Sequence, residues 1–358
     1  MEALRRRARD PSGDARQAIA AVLGELGGPE AVAALAPLLT DGSDRVRRAA
    51  VLALGRASGS TATELTRLRR FLGDPAPRVR AAAAVVLGRR QDRASVPALL
   101  ARLAAPGTWE KPSVAVALGR IGDRRAAPAL IALAASPARW LRVCALHALG
   151  ELGGPEGRSV VRAGLGDPAW SVRGAAATAL GSVGTARDAP RLLALLDDPH
   201  PWPRRGALYA LGRLHRPEAA SRAVTALADP AAEVRLAACW ALGELGDPAA
   251  RRSIARFLSA CPVPGSAATD PIPADALPSP DAEGHQFEVA VAALARLPGA
   301  GRDPVVDRAL DDAERRLAPE ALERPMRLPF PFADRTAAPP TLRQLFTVAR
   351  SPPVGGRG

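Results

Sequence analysis

Aromatic side chains are scarce in this chain. Phe, Trp and Tyr make up 3% of its 358 residues, with a single tyrosine, although 47% of the chain is hydrophobic. A core of that composition has to be assembled from Ala, Leu and Val, whose small side chains let helices pack close together. Lysine is scarcer still. Only Lys111 breaks a basic set that is otherwise all arginine, a bias that reads as GC-rich coding rather than chemistry. The three cysteines, Cys144, Cys239 and Cys261, form no metal or disulfide motif and read as buried free thiols, which suits a reducing cytoplasm. No apolar run approaches the ~18 residues of a membrane span. The basic start, Met1 to Arg7, has no apolar stretch behind it, so no signal peptide is expected. Nucleophile motifs, phosphate loops and Cys/His clusters are missing, so no catalytic residue, metal or cofactor is expected.

What is present is a period. Leu-Gly recurs at Leu23–Gly24, Leu54–Gly55, Leu87–Gly88, Leu118–Gly119, Leu149–Gly150, Leu180–Gly181, Leu211–Gly212 and Leu242–Gly243, with six intervals of 31 residues and one of 33. Self-similarity at this period is the mark of a stacked helical repeat. In the second repeat an apolar segment from Ala31 to Leu39 ends at Asp41–Gly42. A second segment from Ser43 to Arg56 then places Val46, Ala49, Ala50, Ala53, Leu54 and Ala57 at helical spacing. Elsewhere the break between the two segments is Asp-Pro, as at Asp74–Pro75 and Asp198–Pro199, where proline stops one helix and aspartate caps the next. The glycine after each leucine suits a helix C-terminus. Each repeat is thus a hairpin of a helix A and a helix B.

These features resemble the HEAT repeat family, in the short form of proteins similar to phycobilisome lyase subunits, over roughly residues 1–260. The resemblance implies an all-α, right-handed α-α superhelix with B helices lining the concave surface. Seven residues before each Leu stands a cation: Arg16, Arg47, Arg80, Lys111, Arg142, Arg173, Arg204 and Arg235. Six residues before most of these is an aspartate, and in HEAT repeats such pairs form a ladder between units. This reading outweighs a nucleic-acid stripe, because half-buried cations need partners. Ala105 and Ser136 break the acidic slot, which is expected to leave Lys111 and Arg142 freer for a ligand.

Aligned on their leucines, the B helices show a second set of columns, at nine, six and two residues before Leu and two after. Spacings of 3, 4 and 4 predict one shared side, turned away from the core. It carries Trp109, Trp140 and Trp202 at nine-before, His147, Tyr209 and Trp240 at two-before, Arg205 at six-before, and Glu151, Arg213 and Glu244 at two-after. These are the candidate ligand-binding groove. Arg48, Arg56, Arg89, Lys111, Arg120 and Arg142 form a secondary basic groove. Trp170, one residue earlier in its repeat, reads as a plug between layers. Trp, Tyr and Arg dominate interface hot spots, whereas the core columns here hold Ala, Val and Leu.

Residues 1–260 carry a balance of +15 and residues 261–358 one of −2, so the repeat stack is the basic part. An acidic protein or peptide is therefore the expected partner of a non-catalytic scaffold. Nucleic-acid binding, including a HEAT-like DNA glycosylase, and phycobilin-lyase-like chromophore attachment are the alternatives. The iron site of the HEAT-type deoxyhypusine hydroxylases is not expected, because none of the four histidines is followed by glutamate. The expected organisation is a stack over 1–260, which includes the first helix of a ninth repeat, then a Pro-rich insertion over 261–284. A second ninth-repeat helix and a capping helix follow over 285–317, then a disordered tail over 318–358. Within that tail the apolar stretch Leu342 to Val348 either docks back on the stack or acts as a linear motif.

Overall fold

A computed structural model describes residues 1–57, 62–107, 109–261, 282–297, 303–317 and 341–350. The described residues are all-α and divide into two units, Met1–Val161 and Arg162–Gly358. In each unit, helical hairpins stack layer on layer.

Among the described residues the first unit holds five hairpins. Their B helices are Gly13–Leu26, Asp44–Ala57, Pro77–Arg89, Lys111–Ile121 and Arg139–Leu152. In repeat two, Pro29 opens the A helix Gly28–Leu35, a position where its missing N–H costs nothing. A short 3-10 turn, Leu38–Thr40, brings the chain to Asp41, whose carboxylate accepts the N–H of Ser43 and caps the B-helix entry. The leucine column is fully buried at Leu23, Leu54, Leu87 and Leu118. Each such leucine contributes on the order of 1.5–3 kcal/mol by leaving water.

The Leu-Gly glycine does not end the helix as expected. Gly24, Gly55, Gly88 and Gly119 all lie inside their B helices with ordinary helical backbone. Their role is close approach. A Cβ on Gly119 would stand 2.8 Å from the Cα of Ala148 on the next B helix. The true C-terminal glycines come later, at Gly27, Gly122 and Gly153, with positive φ.

The second unit contains B helices Trp170–Val183, Pro201–Arg213 and Ala232–Leu245. The ninth B helix runs Ala282–Arg296, so it starts inside the expected insertion. Cys261 is buried with the core rather than belonging to a loop. Residues 262–281, the rest of that insertion, lie outside the described residues.

Residues 342–350 fall within the expected disordered tail, yet they form a helix, Leu342–Arg350. Helix Pro304–Arg315 packs on the ninth A helix, Arg251–Ala260, and helix Leu342–Arg350 packs on the ninth B helix, so the two take the places of a tenth hairpin. The physical reason is a buried ring and a set of tethers. Phe346 is 1% exposed, and Arg350 pairs with Asp311 at 2.9 Å and Glu314 at 2.7 Å. Thr341 and Gln344 cap the helix start reciprocally. Arg251 is the buried link. Its guanidinium donates to the carbonyls of Leu297 at 2.8 Å and Ala349 at 3.0 Å, which are late carbonyls of the ninth and tenth B helices. Burial pulls its pKa below the usual arginine value, against the opposing charges of Asp303 and Asp307. Residues 318–340 and 351–358 lie outside the described residues.

Candidate functional site

The arginines of the cation column are spent on structure. Arg16 donates through Nε at 2.7 Å and Nη2 at 3.0 Å to the carboxylate of Asp41 in the next repeat, and through Nη1 to the carbonyls of Asp10 and Pro11. Arg47 treats Asp74 the same way in this unit, and in the second unit Arg173 treats Asp198 and Arg204 treats Asp229. The aspartate six residues upstream therefore gives its carbonyl, while the carboxylate comes from one repeat further on. A guanidinium fixed at Nε and both Nη atoms is planar, charge-paired and largely used up.

The broken acidic slot at Ala105 is repaired by a residue the spacing did not reveal. Glu110 is buried and accepts from Arg80 Nε at 2.6 Å and from Arg102. Burial opposes its ionisation, but the two guanidinium groups outweigh that and hold its carboxyl down at about 2. Arg142 is not freed by Ser136 either, since its Nη1 donates to the carbonyls of Ser136 and Pro137, each at 3.1 Å. Lys111 is half-buried.

The four columns do not make one open face. Tyr209 is 8% exposed and Trp240 5%, so both belong to the core, contrary to the expected groove. The two-before position faces the glycine of the preceding B helix. Tyr209 Cε1 stands 3.3 Å from where a Cβ on Gly181 would be, and Trp240 Cζ3 stands 2.9 Å from that of Gly212. Their rings fill the gap the glycine leaves and touch each other at 5.0 Å between centroids. The six-before column is also mostly covered, as at Ala81 and Leu236.

Exposure survives at the two ends of the B helices, about 16 Å apart along the axis for eleven residues. At the exits, Glu151 and Arg213 are exposed. Arg56 and Arg89 are exposed there too, Arg120 is half-buried, and Arg56 pairs with Glu25 at 3.2 Å. Glu244 is engaged by Arg296. Along the helices, Arg48 is exposed and His147 half-buried. At the entries, Trp109 is 64% exposed and Trp140 49%, both in the first unit.

In the second unit Trp170 is no plug. It is 37% exposed and stacks on His200 at 3.8 Å with the planes 6° apart, while Trp202 meets it edge-on at 5.5 Å. Arg205 lies over the Trp202 ring at 5.1 Å, and burial lowers its pKa. The repeat columns do not mark His200. Its signal is its place at a helix entry, where its Nδ1 accepts the Trp202 N–H at 3.3 Å. Among the described residues no group of three or more His, Cys, Asp or Glu is placed to hold a metal ion, and no helix is long and apolar enough to cross a membrane.

Stacked two-helix layers joined by an Arg–carboxylate ladder define a helical-repeat protein of the solenoid class. The model of HEAT repeats matches residues 1–84, 41–116, 65–143, 130–209 and 189–268, and the chain belongs to this family. Among solved structures it is similar to the complex of CpcE and CpcF of phycocyanin lyase from Nostoc sp. PCC7120, at 22% identity over 73% of this chain and 97% of that one, TM-score 0.48. It is also similar to human deoxyhypusine hydroxylase, at 22% identity over 68% and 95%, TM-score 0.32. A third similarity is to a chain from the structure of Kap95p with RanGDP, at 14% identity over 98% and 50%, TM-score 0.51. These likenesses concern the fold. No curated protein matches the chain.

Proposed function

We propose that this protein is a non-catalytic, cytoplasmic scaffold that binds an acidic protein or peptide on the surface of its B helices. The observation that carries the reading is the position of Trp109 and Trp140. These are the two most exposed tryptophans, and they lie in the unit where 25 basic residues face 14 acidic ones. Large indoles left in water are costly unless a partner covers them, and exposed apolar groups rimmed by charge mark interaction sites.

Nucleic acid is the weaker ligand on this reading. A phosphate track needs free cations, and the most regular arginine column is paired to carboxylates. The test is capture from native lysate with wild type and with a Trp109→Ala/Trp140→Ala double variant, each with and without nuclease. An acidic protein retained after nuclease and lost with the double variant supports the scaffold. Recovery of DNA or RNA instead overturns it.

A further inference from the structure

One position per repeat carries a pattern that runs across the first unit. Nine residues before the leucine stand Arg45, Arg78, Trp109 and Trp140 in repeats two to five, and all four are exposed. Arg45, Arg78 and Trp140 stand in the first turn of their B helices, and Trp109 lies two residues before Lys111 opens its own. These four B helices are packed neighbours, so their axes recur about every 8–10 Å. The rim therefore reads cation, cation, indole, indole. Among the described residues neither Arg45 nor Arg78 has an ion-pair partner, unlike the arginines of the ladder. The indole of Trp109 stands on a fixed turn, because Glu110, next in the chain, is buried and held by Arg80 and Arg102.

We propose that this rim binds an extended polyproline-II segment, with acidic side chains on Arg45 and Arg78 and prolines on Trp109 and Trp140. The proposal rests on the acidic-ligand reading above and specifies its chemistry. Polyproline II rises about 3.1 Å per residue with three residues per turn, so every third side chain returns to one side after about 9.3 Å. That step matches one repeat. An extended β-strand returns to the same side after about 6.6–6.8 Å and an α-helix after about 5.4 Å, or about 10.8 Å for two turns, so polyproline II is the nearest match to the step. Proline rings lie flat on indoles, and a segment already extended loses little entropy on binding. The two carboxylates suit a unit whose charge balance is +11.

The experiment is fluorescence anisotropy on the full chain with a labelled peptide carrying Asp, Asp, Pro and Pro at every third position, made in both chain orders. One control replaces both prolines with alanine at constant charge, and another replaces both aspartates with asparagine. Trp109→Ala and Trp140→Ala are tested alongside, with melting curves to show that they fold. The expected result is that one order binds about tenfold or more tighter than either control and loses about tenfold in each tryptophan variant. Equal binding of the alanine control overturns the polyproline assignment but leaves the acidic-ligand reading standing. Unchanged affinity in both tryptophan variants overturns the rim itself. Failure of every peptide also overturns the rim, and the lysate capture then decides whether the broader reading falls with it.

Discussion

A Cβ on Gly88 would stand 2.7 Å from the Cα of Ala117 on the next B helix. Real side chains do not approach that closely, so the two helices meet backbone to backbone only because residue 88 has no side chain. Ala241 and Ala293 make the same demand of Gly212 and Gly243 in the second unit, at 3.0 Å each. The recurring Leu-Gly is thus a packing device: leucine fills a layer and glycine admits the next helix.

Gly88→Ala should therefore lower stability by about 1–3 kcal/mol or more through overpacking. Gly42→Ala is the control, because nothing lies within 4 Å of its Cβ position. Thermal melts of the two variants check this. Equal melting temperatures would show that the layers can spread at no cost.

Trp240 and Trp109 should separate in the same assay. Removing the buried Trp240 ring should cost about 3–5 kcal/mol, since a cavity opens over Gly212. Trp109→Ala should stay within about 0.5 kcal/mol of wild type, as an exposed residue with little packing to lose. Early melting of Trp109→Ala would move that indole from the proposed rim to the fold.

Acid should unfold the protein before it neutralises the folded ladder. The carboxyl of Glu110 ionises at about 2 in the folded chain against an ordinary 4.5, and Asp41, Asp74 and Asp198 are also held below the usual range by their arginines. Depressed carboxyls make the unfolded chain take protons first on acidification. Their contribution is complete above about pH 4.5 and drains away as pH falls towards 2. Circular dichroism during acid titration should show Glu110→Gln already destabilised at pH 7, and should show its stability changing less than wild type between pH 5 and 3. A parallel decline of the two proteins would refute the ladder as the source.

The tenth hairpin should prove structural. Phe346→Ala removes a fully buried ring and should cost about 3–5 kcal/mol locally. Hydrogen exchange should then quicken over residues 289–297, the partner surface on the ninth B helix. Protection unchanged at those amides would mean that helix Leu342–Arg350 contributes nothing there.

The repeat and its layers were legible in the sequence because they depend on periodicity, which one chain displays directly. Leu23 to Leu242 mark the stack, and Asp41 or Asp198 before a B helix announces a capped turn. The direction of the ladder was not legible. Arg80 reaches Glu110, a residue 30 positions on that sits at none of the expected acidic slots, because the partner is chosen by distance across layers. The candidate binding face is legible in the sequence only in part. Helical spacing put Tyr209 and Trp240 on the same side as Trp109, but which part of that side the neighbouring B helix covers depends on how closely the layers approach. The same limit applies to residues 341–350, whose Phe346 and Arg350 look like tail residues until the ninth repeat supplies a surface and Arg251 a donor. Local spacing determined what each layer is made of; only the packing of layer on layer decided which side chains remained in water.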